Sequence, residues 1–567
     1  MNAVPAIEPG PATTAAAWSE RDLAVLWHPC TQMRDHDLSA APRVPLVPIA
    51  RGEGAWLIGH DGRRYLDAVS SWWTNLFGHA NPRIAGAVKD QLDRLEHVIF
   101  AGFTHEPAIL LAEELLRIAP GRSPSASQAV DGRERPPGRS PSASQAMDGR
   151  ERPPGRSPSA MGRSPSAANA MDGGERPSQA KDGRERPPGG SSSAMGRSPS
   201  AANVIHGGER PSQARDGRER PPAGLARVFY ADNGSSAVEV ALKMSFHYWR
   251  NVGRAGKTRF IALTGSYHGE TLGALSVTDV PLYRATYAPL LNEPILVPSP
   301  DAFQSEPGES ARAFALRRLA DMRIALERDA ASVCAVIVEP LVQCAAGMRM
   351  HDPSYLTGLR ALCDEFDVHL IADEIAVGFG RTGSLFACEQ ANIAPDFMCL
   401  SKGLTGGFMP LSAVLTTAPI YAAFHAEYTS GRAFLHSHSY TGNPLACRAA
   451  LATLQIFRDE PVLERNRVLA AHMGERLRKF ADHPNVIDVR QTGMIAAIEF
   501  VRDKAARVPF PAAERRGLRA YLHALERGVL LRPLGDVIYF MPPYVVSTDE
   551  IQLMVDVAAS ALEAAVR

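Results

Sequence analysis

His369-Leu370-Ile371-Ala372-Asp373 and, further on, Phe397-Met398-Cys399-Leu400-Ser401-Lys402 are two apolar runs that each end on a charge. Both have the length and composition of a short buried strand. In open α/β sheets, ligands bind at the edge where such strands end. A carboxylate and an ammonium delivered there are each costly to bury unless they have work to do together. The pair Asp373 and Lys402 is therefore the first candidate for chemistry.

Around this stretch, strand-like and helix-like segments alternate. Strand-like runs fall at 227–230, 259–263, 333–338, 369–372, 397–400 and 411–415. Helical patterns follow Gly234, lie near 269–275 and cover 355–366. This alternation predicts an α/β fold, a largely parallel sheet with helices on both faces. Further helices are expected at 82–95, 107–118, 444–457 and 462–480, and an α+β tail from 486 with strands near 494–500 and 537–540. Near the N-terminus, Asp61-Gly62 between two alternating runs predicts a hairpin over 54–67. The expected division is a large domain over 70–460 and a smaller one built from both ends, 1–69 and 461–567.

The large domain is interrupted. GRSPSASQAVDGRERPP is followed by GRSPSASQAMDGRERPP, and two longer versions extend the repeat to fill 121–222. Pro, Gly, Ser and Arg dominate, aromatics are absent, and no apolar face is available to stack. Such a segment cannot offset its ordering entropy by burial, so it is expected to be a disordered insert in a surface loop. The recurring Arg-Glu-Arg leaves a partner-binding arm as the other reading.

At 567 residues the chain can form more than one domain. Lys plus Arg number 61 and Asp plus Glu 61, which excludes a net field favouring nucleic acid or an anionic membrane. Seven scattered cysteines form no C-x-x-C pair, so no zinc site and no disulfide framework is indicated. The N-terminus lacks the basic and apolar regions of a signal peptide, and no apolar run is long enough to span a bilayer. A soluble cytoplasmic protein is expected.

Three more motifs stand after predicted strands. Ala231-Asp232-Asn233-Gly234-Ser235-Ser236 opens a helix whose free N–H groups suit an anion; alone it is an ordinary Ser cap. Ser266-Tyr267-His268-Gly269-Glu270 puts an aromatic at a strand end, where it can stack on a planar ligand; alone it is a loop aromatic. Val338-Glu339-Pro340 ends a strand in a carboxylate. With Asp373 and Lys402, these make a phosphate cradle, a stacking ring, a partner for a ring nitrogen and a lysine able to hold an aldehyde. One cofactor needs that set: pyridoxal phosphate.

The stretches 373–383 (DEIAVGFGRTG) and Ser401-Lys402-Gly403 carry a resemblance to the class III, fold-type I pyridoxal-phosphate aminotransferases. It covers nearly all of the chain outside 121–222. Trp27-His28-Pro29, Ser70-Ser71-Trp72-Trp73, 436–444 (HSHSYTGNP), Leu531-Arg532-Pro533-Leu534-Gly535 and Met541-Pro542-Pro543-Tyr544 resemble the branch that aminates 8-amino-7-oxononanoate in biotin synthesis. The resemblance implies that Lys402 holds the cofactor and moves the proton. It implies that Asp373 keeps the ring nitrogen protonated, that Tyr267 stacks on the ring, and that Gly234 with Ser235 binds the phosphate. His438 falls to the cofactor, and Ser439 to the phosphate of a neighbouring subunit in a homodimer. Trp72, Tyr267, Lys402 and Ser437 fall to the substrate pocket, and Arg532 to the acceptor's carboxylate. S-adenosylmethionine is the implied donor, although Cys30 stands where a Tyr is often found in the donor pocket. Two other readings stay open. One is an ω-aminotransferase for a diamine or ω-amino acid, against which Ala376 and Trp72-Trp73 argue. The other is a cofactor-binding scaffold without turnover, against which Asp373, Tyr267 and Lys402 argue.

Overall fold

The computed structural model describes residues 14–37, 39–40, 42–121 and 224–567. All of them belong to one unit, Met1–Asp131 with Arg220–Arg567. The repeat expected to be disordered lies outside the described residues, apart from Gly121.

The strands, in chain order, begin with β1 (Ile49–Glu53), β2 (Trp56–Gly59) and β3 (Arg64–Asp67). Next come β4 (Leu225–Ala231), β5 (Arg259–Leu263), β6 (Ile295–Val297), β7 (Val333–Val338), β8 (Val342–Gln343) and β9 (Arg349–Met350). Then follow β10 (His369–Asp373), β11 (Phe397–Leu400), β12 (Ser412–Thr417), β13 (Val486–Thr492), β14 (Ile495–Phe500), β15 (Val529–Leu530) and β16 (Val537–Phe540). The central sheet has seven strands in the order β4-β12-β11-β10-β7-β5-β6. All run parallel except β12, which is antiparallel to both neighbours.

Every residue of β7, β10, β11 and β12 is buried. That is why these strands read as continuous apolar runs: both faces of the sheet are covered. Their side chains alternate between two cores. Ile337, Ile371, Cys399 and Val414 pack with Val238 and Ala241 of the helix Gly234–Asn251, while Val336, Leu370, Met398 and Leu415 join the larger core on the other side.

The predicted hairpin is the antiparallel pair β2–β3, with Gly62 at φ 79° in its turn. Its last strand pairs in parallel with β15, so the two ends of the chain share a four-stranded sheet. One helix starts later than its pattern indicates. The expected segment 269–275 becomes Leu272–Ser276, because Gly269 adopts φ 127° and a Cβ there would run into the Ser235 side chain.

Candidate active site

Parallel strands put their carboxyl ends on one side, and each sequence motif follows such an end. Asp373 closes β10 and is only 4% exposed. Its Oδ2 lies 2.8 Å from His268 Nδ1, and its Oδ1 accepts from the Ile375 N–H at 3.1 Å. His268 itself is buried, and its Nε2 has no partner among the described residues. Glu339, at the end of β7, accepts the Tyr267 and Cys344 N–H groups, each at 3.0 Å. Burial, reinforced by nearby Asp373, pushes the Glu339 carboxyl up to about 7 against the pull of His268.

Lys402 stands just past β11 with φ 45°, a left-handed backbone that an L-residue adopts at a cost. Burial lowers its pKa, opposed by Cys344, Asp373 and Glu339. Its Nζ sits 4.6 Å from the centroid of the Trp73 ring. Gly234 and Ser235 open the helix Gly234–Asn251, where the Asn233 side chain caps the Ser236 N–H. Ser235 Oγ accepts from the Glu270 N–H at 3.1 Å, and a Cβ on Gly234 would meet Ile375 at 3.0 Å. This corner has no room for larger residues.

Above it opens a cleft of about 1490 Å³ whose lining includes Cys30, Trp72, Tyr267, Glu270, Lys402 and Arg532. The Tyr267 hydroxyl donates to Glu270 Oε1 at 2.8 Å, and burial raises its pKa, so the phenol stays protonated. The Cys30 thiol lies 3.8 Å from the same carboxylate oxygen and is likewise pushed up by burial, then by Glu270. The Arg532 guanidinium stacks 4.3 Å from the Trp72 ring centroid. Among the described residues no carboxylate comes within 4.0 Å of it, so the cation is free to take one from solution.

Trp72 and Trp73 are presented by an unusual backbone. Ser70, Ser71, Trp72 and Trp73 all have positive φ, 51°, 45°, 69° and 72°, a left-handed turn with no glycine in it. Such conformations cost roughly 1–2 kcal/mol per residue and persist only when the surroundings over-determine them. Here they do. The buried Asp67 carboxylate accepts from the Ser71 N–H at 2.9 Å and its hydroxyl at 2.7 Å, and lies 3.0 Å from His79 Nε2. Ser70 Oγ donates to the Met541 carbonyl at 2.7 Å, and Trp73 Nε1 to the Tyr539 hydroxyl at 3.0 Å. The buried Arg381 guanidinium donates to the carbonyls of Trp73 (3.3 Å), Asn75 (3.0 Å) and Pro542 (2.7 Å).

The structure thus brings Trp72, Tyr267, Lys402 and Arg532 to one cleft, with Asp373, Gly234 and Ser235 at the strand ends of the same sheet edge. It does not bring Ser437, His438 and Ser439 to that cleft. His438 Nδ1 lies 3.2 Å from Asp232 Oδ2, while Ser437 and Ser439 are exposed. The motifs contained His268, Glu270 and Trp73, but their contacts with Asp373, Tyr267 and Lys402 went unread. Position at a strand end was the only signal for the first.

A family model described as aminotransferase class-III matches residues 39–130 and 219–562, on either side of the repeat. The adenosylmethionine-8-amino-7-oxononanoate aminotransferase of Geobacter sulfurreducens is 37% identical over 544 residues, 96% of each chain. Among solved structures, the enzyme of the same name from Methanocaldococcus jannaschii superposes with a TM-score of 0.74 at 31% identity, covering 97% of this chain and 99% of that one. An omega transaminase from Pseudomonas jessenii in complex with PMP gives 0.74 at 25% identity, covering 96% and 98%.

Proposed function

The chain belongs to the class-III aminotransferase family, and on that premise we propose that it transfers an amino group from S-adenosylmethionine to 8-amino-7-oxononanoate, giving 7,8-diaminononanoate for biotin synthesis. The observation that carries the reading is the cleft that joins Lys402 to an Arg532 with no carboxylate partner among the described residues. A guanidinium reads a carboxylate with two parallel hydrogen bonds, and the acceptor carries one at its far end.

The residues present fit pyridoxal phosphate. Asp373 is oriented by His268, a buried imidazole nitrogen is left without a partner among the described residues, and the corner at Gly234 and Gly269 admits only small residues. Lys402 would hold the aldehyde, Asp373 the ring nitrogen, Tyr267 the ring face, and Gly234 with Ser235 the phosphate. When bound, the cofactor supplies an electrophilic carbon for the amine and a ring that takes up the electron pair released at the substrate carbon. The chain's own part is to place and move protons. Lys402 Nζ would take the proton from the substrate carbon and return it. Asp373, oriented by His268, would face the ring nitrogen and favour its protonation. Arg532 sets the acceptor's register along the cleft.

Large apolar side chains that face solvent in one chain, among them Phe103, Leu282 and Leu435, support a homodimer. Ser437, His438 and Ser439 are assigned to the partner's site. The strand pair β3–β15 supports a smaller domain made from 1–69 and 461–567 beside a larger one over 70–460. Among the described residues no helix is long and apolar enough to cross a membrane, and we place the enzyme in the cytoplasm. Cys30 in the cleft makes the donor the point to test. Holoenzyme is given 8-amino-7-oxononanoate with adenosylmethionine, or with lysine, and 7,8-diaminononanoate is followed by mass spectrometry. Product with adenosylmethionine is expected. Product with lysine alone reassigns the donor, and product with neither overturns the substrate.

A further inference from the structure

We propose that Trp73 is a positioning residue for Lys402: its indole face, set in place by the left-handed turn Ser70–Trp73, holds the lysine whenever Nζ carries a charge. The inference rests on the reading that Lys402 is the cofactor's lysine. It adds what becomes of that lysine between its two proton transfers.

The geometry is direct. Nζ lies 4.6 Å from the ring centroid, and no carboxylate among the described residues comes within 4.0 Å of it. The charged and titratable groups that bear on Lys402 are Cys344 beyond β8, Asp373 at the end of β10 and Glu339 at the end of β7. A tryptophan face attracts an ammonium through its quadrupole but offers nothing comparable to a neutral amine. The ring therefore sorts the two states of Lys402. When Nζ takes the proton from the substrate carbon, the C–H electron pair stays behind and the amine becomes an ammonium. The charged side chain then rests on Trp73 until it gives the proton back and is free to move.

The ring is held on both sides. Trp73 Nε1 donates to Tyr539 Oη, and the Trp73 carbonyl accepts from buried Arg381. Asp67 ties the start of the turn through Ser71. A backbone strained at four successive residues and clamped at both ends is a device for aiming a side chain, and the two aimed here are Trp72 and Trp73.

The test uses the full chain freed of cofactor. Acetic anhydride labels Lys402 only when its amine is neutral, and peptide mass spectrometry reads the labelled fraction against pH, with surface Lys479 as the internal reference. W73L keeps an apolar side chain but removes the π face, so the Lys402 midpoint is expected to move to lower pH. W73F should fall between W73L and wild type. A W73L midpoint at or above that of wild type overturns the proposal. If W73L does not fold, W73F decides alone, and a midpoint equal to wild type overturns it. Borohydride reduction of holoenzyme followed by peptide mapping tests the underlying reading separately. A cofactor adduct on another lysine sinks the functional assignment and leaves the titration result standing.

Discussion

Excising 122–223 and joining Gly121 directly to Gly224 is expected to stabilise the enzyme and leave its chemistry intact. The residues on either side of the excised segment already meet: a Cβ built on Gly224 would stand 3.5 Å from the Gly121 carbonyl oxygen. Gly121 can take the junction because it holds φ 87° against Ala394. After excision, Ala119, Pro120, Gly121 and Gly224 connect the helix Glu106–Ile118 to β4. That shortens the connection about 25-fold. If the repeat contributes only chain length, the closure entropy recovered is (3/2)RT times the logarithm of that ratio, about 3 kcal/mol. With an unfolding entropy of about 2.1 cal/mol/K per residue, a protein of this size should gain about 3 °C in Tm. Differential scanning fluorimetry at matched cofactor concentration, together with steady-state kinetics, makes the measurement. Unchanged kcat and KM with a raised Tm is the expected outcome. A lowered Tm, or loss of soluble protein, would refute the reasoning and show that the repeat makes contacts the fold needs.

K402A should bind cofactor without a covalent link and lose turnover; normal transamination by this variant would remove Lys402 from the mechanism. R532A should lower kcat/KM for the acceptor by about 10–100-fold, the worth of roughly 1.5–3 kcal/mol for hydrogen bonds to a charged group, with cofactor affinity unchanged. Unaltered acceptor kinetics would exclude the carboxylate role. His369 is buried against Trp249, with Nδ1 2.9 Å from Ser245 Oγ, and burial lowers its pKa to about 4. The unfolded chain takes up this proton near pH 6.5, before the folded one does. The stability His369 contributes is therefore complete above that pH and is lost as pH falls towards 4, by about 3 kcal/mol in all. Urea unfolding between pH 4 and 7 should show a shallower slope in H369N than in wild type, and equal slopes would assign the acid sensitivity elsewhere.

The central sheet was legible because its strands are buried on both faces, which leaves uninterrupted apolar runs whose last residues, Asp373 and Lys402, stand out by charge. Arg532 and Trp72 were legible only through resemblance, because nothing local distinguishes a substrate-facing arginine from a surface one. The contact between His268 and Asp373 spans 105 residues, and no local pattern announces it. The left-handed turn Ser70–Trp73 was hidden for the opposite reason. Local rules put glycine or asparagine in such backbone, and here clamps from Asp67, Arg381 and the C-terminal strand override them. Ser437 and Ser439 face solvent, where a single chain offers them nothing to touch. The predicted disorder of the repeat lies outside the described residues.

Those clamps also impose an order on the molecule's assembly. Ser70 waits for the carbonyl of Met541, 471 residues later, and Trp73 for the hydroxyl of Tyr539. At ribosomal rates of about 5–20 residues per second, that is roughly half a minute to a minute and a half after the turn itself has been made. Until then only Asp67 and, once made, Arg381 hold its left-handed path. Lys402 emerges well before Tyr539 and Met541, which hold Trp73 and Ser70. The tandem repeat lengthens the interval by about 5–20 seconds on the same arithmetic. The last strand to be synthesised is thus a timer: a chain cut short before it lacks Tyr539, and with it the bond that fixes Trp73 and part of the cleft wall.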